Sequence, residues 1–283
     1  MGLPLRSAPT RVLDDRDLPA VRSLLSHNPV ADVFVASRVG AAGLDPWRLG
    51  AEIWGHLVDG QLASACYSGA NLWPVGATAA SARVFAERAR RQGRRCSSIV
   101  GAADGVLEMW RYLEPAWGPA RDVRANQPLL AISSAPTVAP DPGVRRVRPD
   151  ELDTLLPACV AMFTEEIGVS PIGGDGGALY RARVAEFVNQ GRAFARIEDG
   201  RVLFKAEIGA VAGGVGQIQG VWVDPAVRGR GLAAAGTSSV IAIAQATIAP
   251  MVSLYVNEYN HPARRAYARA GFRRVGTFAS ILF

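Results

Sequence analysis

Hydrophobic and polar positions change period repeatedly along the chain, and the changes mark two rounds of one order of elements. In the first round, residues 11–13 read as a short strand, residues 15–26 as a helix with acids in its first turn, and residues 30–43 as a second helix. Ala51 to Val58 and Leu62 to Ser68 are apolar runs broken by Asp59-Gly60-Gln61, the mark of a hairpin. A strand at 71–75, a helix at 78–91, a strand at 97–101 and a short helix capped by Asp104 and running through Leu113 follow. The second round opens with a strand at 145–148 and a helix started by Pro149-Asp150-Glu151 that continues to Phe163. An amphipathic helix at 178–190 precedes a hairpin, 193–197 and 202–211, across Glu198-Asp199-Gly200-Arg201. Then come a strand at 216–223, a long small-residue helix from Gly231, a strand at 251–256, a helix at 262–270 that Gly271 ends by accepting positive φ, and two strands within 272–283.

Between the rounds lies Ser133 to Gly143, with three prolines and neither helical nor strand period. It reads as an extended, exposed linker. A chain of 283 residues suits two domains. The expected division is an accessory domain over 1–132, the linker 133–143 and a second domain over 144–283.

Composition narrows the class. With 49% hydrophobic and 20% charged residues the chain is globular rather than disordered. The net charge of +6 comes almost wholly from arginine, and Lys205 is the only lysine. No basic run interleaved with aromatics appears, so no nucleic-acid partner is expected. Cys66, Cys96 and Cys159 are far apart and form neither a CxxC pair nor a disulfide framework, which points to reduced thiols in the cytoplasm. His27, His56 and His261 lack metal-ligand spacing, so no metal is expected. The N-terminus has no apolar signal core, and the Gly231–Ala249 run carries too many hydroxyl and amide side chains for a membrane span.

The chemistry concentrates in Val221 to Ala233, VWVDPAVRGRGLA. An apolar strand stops at Asp224-Pro225, where proline has no amide hydrogen for a ladder. Arg228-Gly229-Arg230-Gly231 then turns into a helix. Such a helix start presents unpaired N–H groups and the positive end of a dipole, and glycines let an anion approach the backbone. A Walker A loop is excluded because Leu232-Ala233 stand where Lys-Ser/Thr is required, and the dinucleotide fingerprint fits only loosely.

The stretch resembles the acyl-CoA pyrophosphate loop of the GNAT superfamily of N-acetyltransferases, Gln/Arg-x-x-Gly-x-Gly/Ala, with Arg228, Gly231 and Ala233 at its fixed positions. A second match lies downstream. Asn257 on a strand, Asn260 before a helix, Ala263-x-x-x-Tyr267 and Gly271-Phe272 resemble the family's second signature. The likeness covers about residues 144–283; the first half resembles the family only in its order of elements, and reads as a degenerate copy or as an unrelated α/β domain. The implied fold class is mixed α/β: two tandem GNAT-like domains, each a central twisted mixed sheet flanked by helices, with two parallel strands splayed to admit pantetheine.

The resemblance implies the roles. Backbone amides of Gly229, Arg230, Gly231, Leu232 and Ala233 would bind the pyrophosphate of acetyl-CoA. Arg228 and Arg230 would add charge, or Arg228 would brace the loop. The Val221, Trp222 and Val223 strand would pair with pantetheine, with the Val223 N–H facing the thioester carbonyl. Asn257 or Asn260 would line the channel, or Asn260 would simply cap its helix. Tyr267 is the expected general acid toward the thiolate, against a plain packing role. The usual base is missing: the strand reads Gly216-Gln217-Ile218-Gln219-Gly220, and glutamine takes no proton. The remaining candidates are Glu207 and Glu258, each also readable as a surface or structural charge, or a water held by Gln217 or Gln219. An acceptor arriving as a neutral amine would need none.

The expected activity is N-acyl transfer from acetyl-CoA to an amine, small-molecule or protein. The alternatives are a non-catalytic acyl-CoA-binding regulatory module and a protein lysine or N-terminal acetyltransferase. The loop 168–177, with five glycines, sits where the family places its acceptor-binding elements. Most of the tryptophans of the first half read as core, some as lining of an acceptor site.

Overall fold

The computed structural model describes residues 10–174 and 176–283. The N-terminal nine residues, read above as lacking a signal core, and Asp175 of the glycine-rich loop lie outside that range. The chain divides into two compact units, residues 1–129 with 274–283 and residues 130–273.

The first unit contains β1 (Thr10–Val12), α1 (Leu18–Ser26), α2 (Val33–Ala42), α3 (Pro46–Leu49), β2 (Glu52–Val58), β3 (Gln61–Ser68), β4 (Asn71–Val75), α4 (Ala79–Gln92), β5 (Ser98–Ala102) and α5 (Ala103–Trp117). Its strands lie in the order β1-β2-β3-β4-β5, antiparallel except for the parallel pair β4–β5. Apolar faces of α4 and α5 close the core with Phe85, Met109, Leu113 and Ile99, all buried. Asp14 caps the first helical turn through the Arg16 amide, with Asp17 reaching back to the Asp14 amide. Ala102, not Asp104, stands at the cap of α5, without a side-chain cap.

Strand β6 (Asp122–Ile132) falls on both sides of the division. The second unit continues with β7 (Val144–Arg146), α6 (Leu152–Ile167), α7 (Ala178–Asn189), β8 (Ala193–Glu198), β9 (Arg201–Ala212), β10 (Val215–Val223), α8 (Leu232–Thr247), β11 (Met251–Tyr255) and α9 (His261–Ala270). Its strand order is β11-β10-β9-β8-β7, parallel only at β10–β11. One face carries α8 and α9 over Phe204, Ile208, Ile218, Val252 and Leu254, and the other carries α6 and α7 over Ala193, Ala195 and Val202.

Two expectations change. β6 has no counterpart in the sequence reading, because Asp122, Arg124, Asn126 and Pro128 obscure its period. Residues 272–283 form one strand, β12 (Arg273–Leu282), rather than two, and it pairs antiparallel with β5, Phe278 opposite Ala102 and Leu282 opposite Ser98. The last strand therefore completes the first unit's sheet rather than the second's. Residues 133–143 carry no regular element and are mostly exposed, with anchoring contacts to the second unit. Asp141 is buried, its carbonyl accepting from Ser239 Oγ at 2.8 Å and its carboxylate from Arg196 at 2.9 Å, and Gln245 Nε2 donates to Ser134 O.

Candidate active site

The parallel register of β10 and β11 ends at Gln217↔Ser253, although β10 runs on to Val223. Beyond that point no register between β10 and β11 continues among the described residues. Gly220, at φ +61, lies in the irregular stretch between Gln219 and Trp222, after which pairing to β9 resumes. The Asp224 amide donates to Leu203 O on β9, so strand alternation turns the Val223 backbone away from β9. Gln217 Nε2 and Ser253 Oγ, opposite each other where pairing stops, are buried without a hydrogen-bond partner.

Asp224 closes the strand. Its carboxylate accepts from the Ala226 amide at 2.9 Å and from Arg201 at 2.5 and 2.8 Å. Gly229 and Gly231 then take φ +79 and +85, the left-handed region that favours glycine. α8 starts with Gly231 at its cap and no side-chain cap. Its first internal bond to the loop comes from Ala234, to Gly231 O, so the amides of Gly229, Arg230, Gly231, Leu232 and Ala233 have no backbone acceptor among the described residues. A Cβ added at Gly229 or Gly231 meets no atom within 4 Å. Bare amides around open space are what a diphosphate requires, so the residues fit acyl-CoA.

Arg228 takes the bracing alternative. Its Nε donates to Val223 O at 2.9 Å and its second guanidinium nitrogen to Glu165 Oε2 at 2.7 Å. Trp222 Nε1 donates to the other oxygen of Glu165 at 3.0 Å, so α6 grips the strand and loop together. Arg230 is exposed and has no carboxylate partner among the described residues. Asn260 takes the capping alternative, its Oδ1 accepting from the Ala263 amide at 3.1 Å. Asn257 is half-buried, and its carbonyl accepts from the Asn260 amide.

Tyr267 is buried on α9 against Phe272, ring centroids 6.0 Å apart. Burial pushes its phenol above the ordinary value, and the charge of Glu166 adds to this, so the hydroxyl keeps its proton. Glu258 is exposed after β11. Glu207 is not a surface charge. It is buried on β9, with Oε1 at 2.5 Å from Lys205 Nζ and Oε2 at 3.4 Å from Gln219 Nε2. Sequence reasoning missed Lys205 as a partner. The signal was there: a lone lysine two residues before a glutamate on one strand, hence on the same face.

Residues 177–272 match the acetyltransferase (GNAT) family, and residues 51–155 match a domain of unknown function, DUF4081. No curated protein matches the chain. Solved structures of similar fold include a GNAT-family acetyltransferase from Colwellia psychrerythraea, 13% identical, TM-score 0.56, with 97% of this chain and 99% of that one covered. A GCN5-related N-acetyltransferase from Sphaerobacter thermophilus is 20% identical at TM-score 0.59, with 97% and 95% covered. A tandem GNAT protein from the clavulanic acid biosynthesis pathway is 13% identical at TM-score 0.51, with 97% and 98% covered. The family match makes residues 177–272 a GNAT-family acetyltransferase domain, in a family that uses acetyl-CoA.

Proposed function

We propose that the chain is an N-acyltransferase that moves an acetyl group from acetyl-CoA to an amine by direct attack, with residues 144–273 binding the acyl donor. The observation that carries this reading is the uncapped start of α8, where Gly229 to Ala233 leave amides without acceptors around open space. Bound acetyl-CoA would supply a thioester carbonyl open to attack and a thiol leaving group. The loop amides would hold its diphosphate. The Val221 and Val223 backbones would pair with the pantetheine amides, and the Val223 N–H would stabilise negative charge on the carbonyl oxygen. Arg228 would keep the loop shaped rather than touch phosphate, while exposed Arg230 would face it. Asn257, Gln217 and the Trp222 backbone would line the channel, and Tyr267 would donate its proton toward sulfur. Glu207 and Gln217 are the groups proposed to serve the acceptor's nitrogen. Cys66, Cys96 and Cys159 are all buried free thiols, which suits a cytoplasmic protein. Among the described residues no helix is long and apolar enough to cross a membrane.

A second reading, a CoA-binding module without turnover, is favoured by one feature: β10 carries glutamines where a base would stand. Calorimetry with CoA, combined with thiol release from acetyl-CoA across a panel of small amines, separates the two. Binding with amine-dependent release supports transfer. Binding without release favours the module, and no binding removes both.

A further inference from the structure

The most unusual side-chain cluster of the second unit lies on the α6–α7 face of its sheet. Lys205 is wholly buried, and so, nearly, is Glu207, two residues on along β9. The Lys205 ammonium bonds Glu207 Oε1 at 2.5 Å and lies 3.4 Å from Cys159 Sγ on α6. Strand β8 places only Ala193 and Ala195 opposite the pair. Tyr180 on α7 donates to the carbonyl of Cys159 at 2.9 Å. Across on β10, Gln219 Nε2 makes a long contact of 3.4 Å to Glu207 Oε2. The bulge at Gly220 sits directly on these heads: a Cβ there would lie 3.1 Å from Lys205 Nζ and 3.3 Å from Glu207 Oε2. Val221, immediately after it, lies on the stretch of β10 that has no register with β11 among the described residues.

A buried ion pair is poor evidence for stability, since desolvation offsets much of its attraction. The chain nonetheless places its only lysine here, at the bulge that precedes the proposed thioester-binding edge. We propose that Lys205 is a positioning residue that anchors Glu207 by Oε1, so that Oε2, held against the Gly220 bulge, takes the proton which the acceptor amine gives up. This rests on the acyl-transfer reading above. Glu207 Oε2 takes one proton from nitrogen as the N–C bond forms, and Tyr267 gives one to sulfur as the C–S bond breaks. Solvent then carries the proton from the carboxyl to the phenolate, which returns both residues to their starting state.

The charges surrounding the pair agree. Burial pushes the Lys205 ammonium down, but the charge of Glu207 and its hydrogen bond outweigh it, and the group stays charged above its ordinary range. Burial pushes the Cys159 thiol up to about 11 and the Tyr180 phenol up to about 12, so both stay neutral. Glu207 is thus the ion-pair partner of Lys205, with a neutral thiol and a neutral phenol beside it.

The test uses the full chain, with lysine labelled at Nζ and Cε, and acetyl-CoA with small primary amines. A single lysine gives a single resonance. In wild type it is expected to keep the ammonium form past the pH, about 10, at which an ordinary lysine titrates. In Glu207→Gln it is expected to titrate lower, because a buried ammonium has lost its partner. Kinetically, Glu207→Gln should lower kcat about 100-fold, the scale of a lost general base, with the KM for acetyl-CoA nearly unchanged. Lys205→Met should lower kcat with the KM for acetyl-CoA nearly unchanged, because Oε1 loses its anchor, and Lys205→Arg should restore it. Stranding one buried charge destabilises the fold, so Lys205→Met/Glu207→Gln, which removes both, serves as the folded control; it should match Glu207→Gln in kcat. A Lys205 resonance indifferent to Glu207→Gln, or a folded Glu207→Gln with wild-type kcat and pH profile, overturns the inference and leaves acyl transfer standing. Wild-type protein that neither binds CoA nor releases thiol overturns both.

Discussion

Arg228 Nε donates to the carbonyl of Val223 at 2.9 Å, which ties the glycine loop back onto the strand it leaves. The same guanidinium reaches Glu165 on α6, and Trp222 holds the other oxygen of that carboxylate. Both charges of this ion pair are roughly half exposed, so the pair itself contributes little to stability. Its effect lies in fixing the loop. Arg228→Ala should weaken CoA about ten-fold in calorimetry, about 1.4 kcal/mol, with little change in melting temperature. Arg228→Lys should not recover the loss, because one ammonium cannot serve the carbonyl and the carboxylate in that fork. Wild-type affinity in Arg228→Ala would show that the loop needs no brace.

Two glycines five residues apart should fail differently. At Gly231 an added Cβ has open space, and only the φ of +85 opposes it. Gly231→Ala should cost about 1 kcal/mol of strain and weaken CoA binding, since the amides turn away from the anion. At Gly236, inside α8, the Cβ would lie 2.7 Å from the buried Phe204 ring. Alanine gains about 1 kcal/mol of helix propensity there, but overpacking costs about 1–3 kcal/mol, so thermal melts should show net destabilisation.

Tyr267→Phe keeps the buried ring and removes only the hydroxyl. Turnover should fall about 100-fold while CoA affinity and melting temperature hardly move. A variant with wild-type kcat would leave Tyr267 as a packing residue on Phe272. The sign of the pH effect is fixed by burial, which raises the phenol above its unfolded value. The folded chain keeps this proton after the unfolded chain loses it, so stability falls as pH rises past about 10, and Tyr267→Phe should remove that share of the fall.

Most elements were legible because their periods were clean. The hairpins of both units turn at Asp59-Gly60 and Asp199-Gly200, all four residues at positive φ, as those dipeptides announce. β6 was not legible, because polar residues and Pro128 occupy it. The pairing of β12 with β5 was not legible either, because strand partners far apart in sequence leave no local trace. In the site, the loop could be read from its glycines. Competing roles for Arg228 and Asn260 could not be decided, since a bracing contact to Glu165 and a helix cap depend on geometry. Lys205 stood out by rarity alone, and only its burial beside Glu207 gives that rarity meaning.

Asp32 makes the first unit's stability depend on pH. It is buried at the start of α2, its side chain makes no cap hydrogen bond, and desolvation raises its carboxyl to about 7. A raised acid favours the folded state only while protonated there. Its contribution is therefore full below the unfolded value near 4 and is lost as pH climbs through about 7, a swing of about 4 kcal/mol at most. Asp32→Asn should melt higher than wild type at pH 8 and close to it at pH 4. Equal melting at both values would mean that the carboxylate finds a partner on ionising.

The first unit repeats the strand-turn-helix arrangement of β10 and α8 in β4 and α4, yet calorimetry should count one CoA per chain. The start of α4 is closed by its own side chains: Thr78 Oγ1 accepts from the Ser81 amide at 3.3 Å and Ser81 Oγ from the Thr78 amide at 2.9 Å. Parallel pairing of β4 with β5 stops at Leu72↔Ile99, and the adjoining space is filled by Trp73. Its Nε1 lies 3.3 Å from where a Gly101 Cβ would stand, and its ring meets Phe34 at 4.8 Å and Phe278 at 5.6 Å. Removing that buried indole would cost about 3–5 kcal/mol, so a ligand has no cheap way in. Thr78→Ala should leave the isotherm unchanged and lower stability by about 1 kcal/mol, as loss of a helix cap does, whereas Gly231→Ala should weaken the same isotherm. A stoichiometry of two, or a Thr78→Ala isotherm that loses a component, would mean that α4 opens to receive a phosphate.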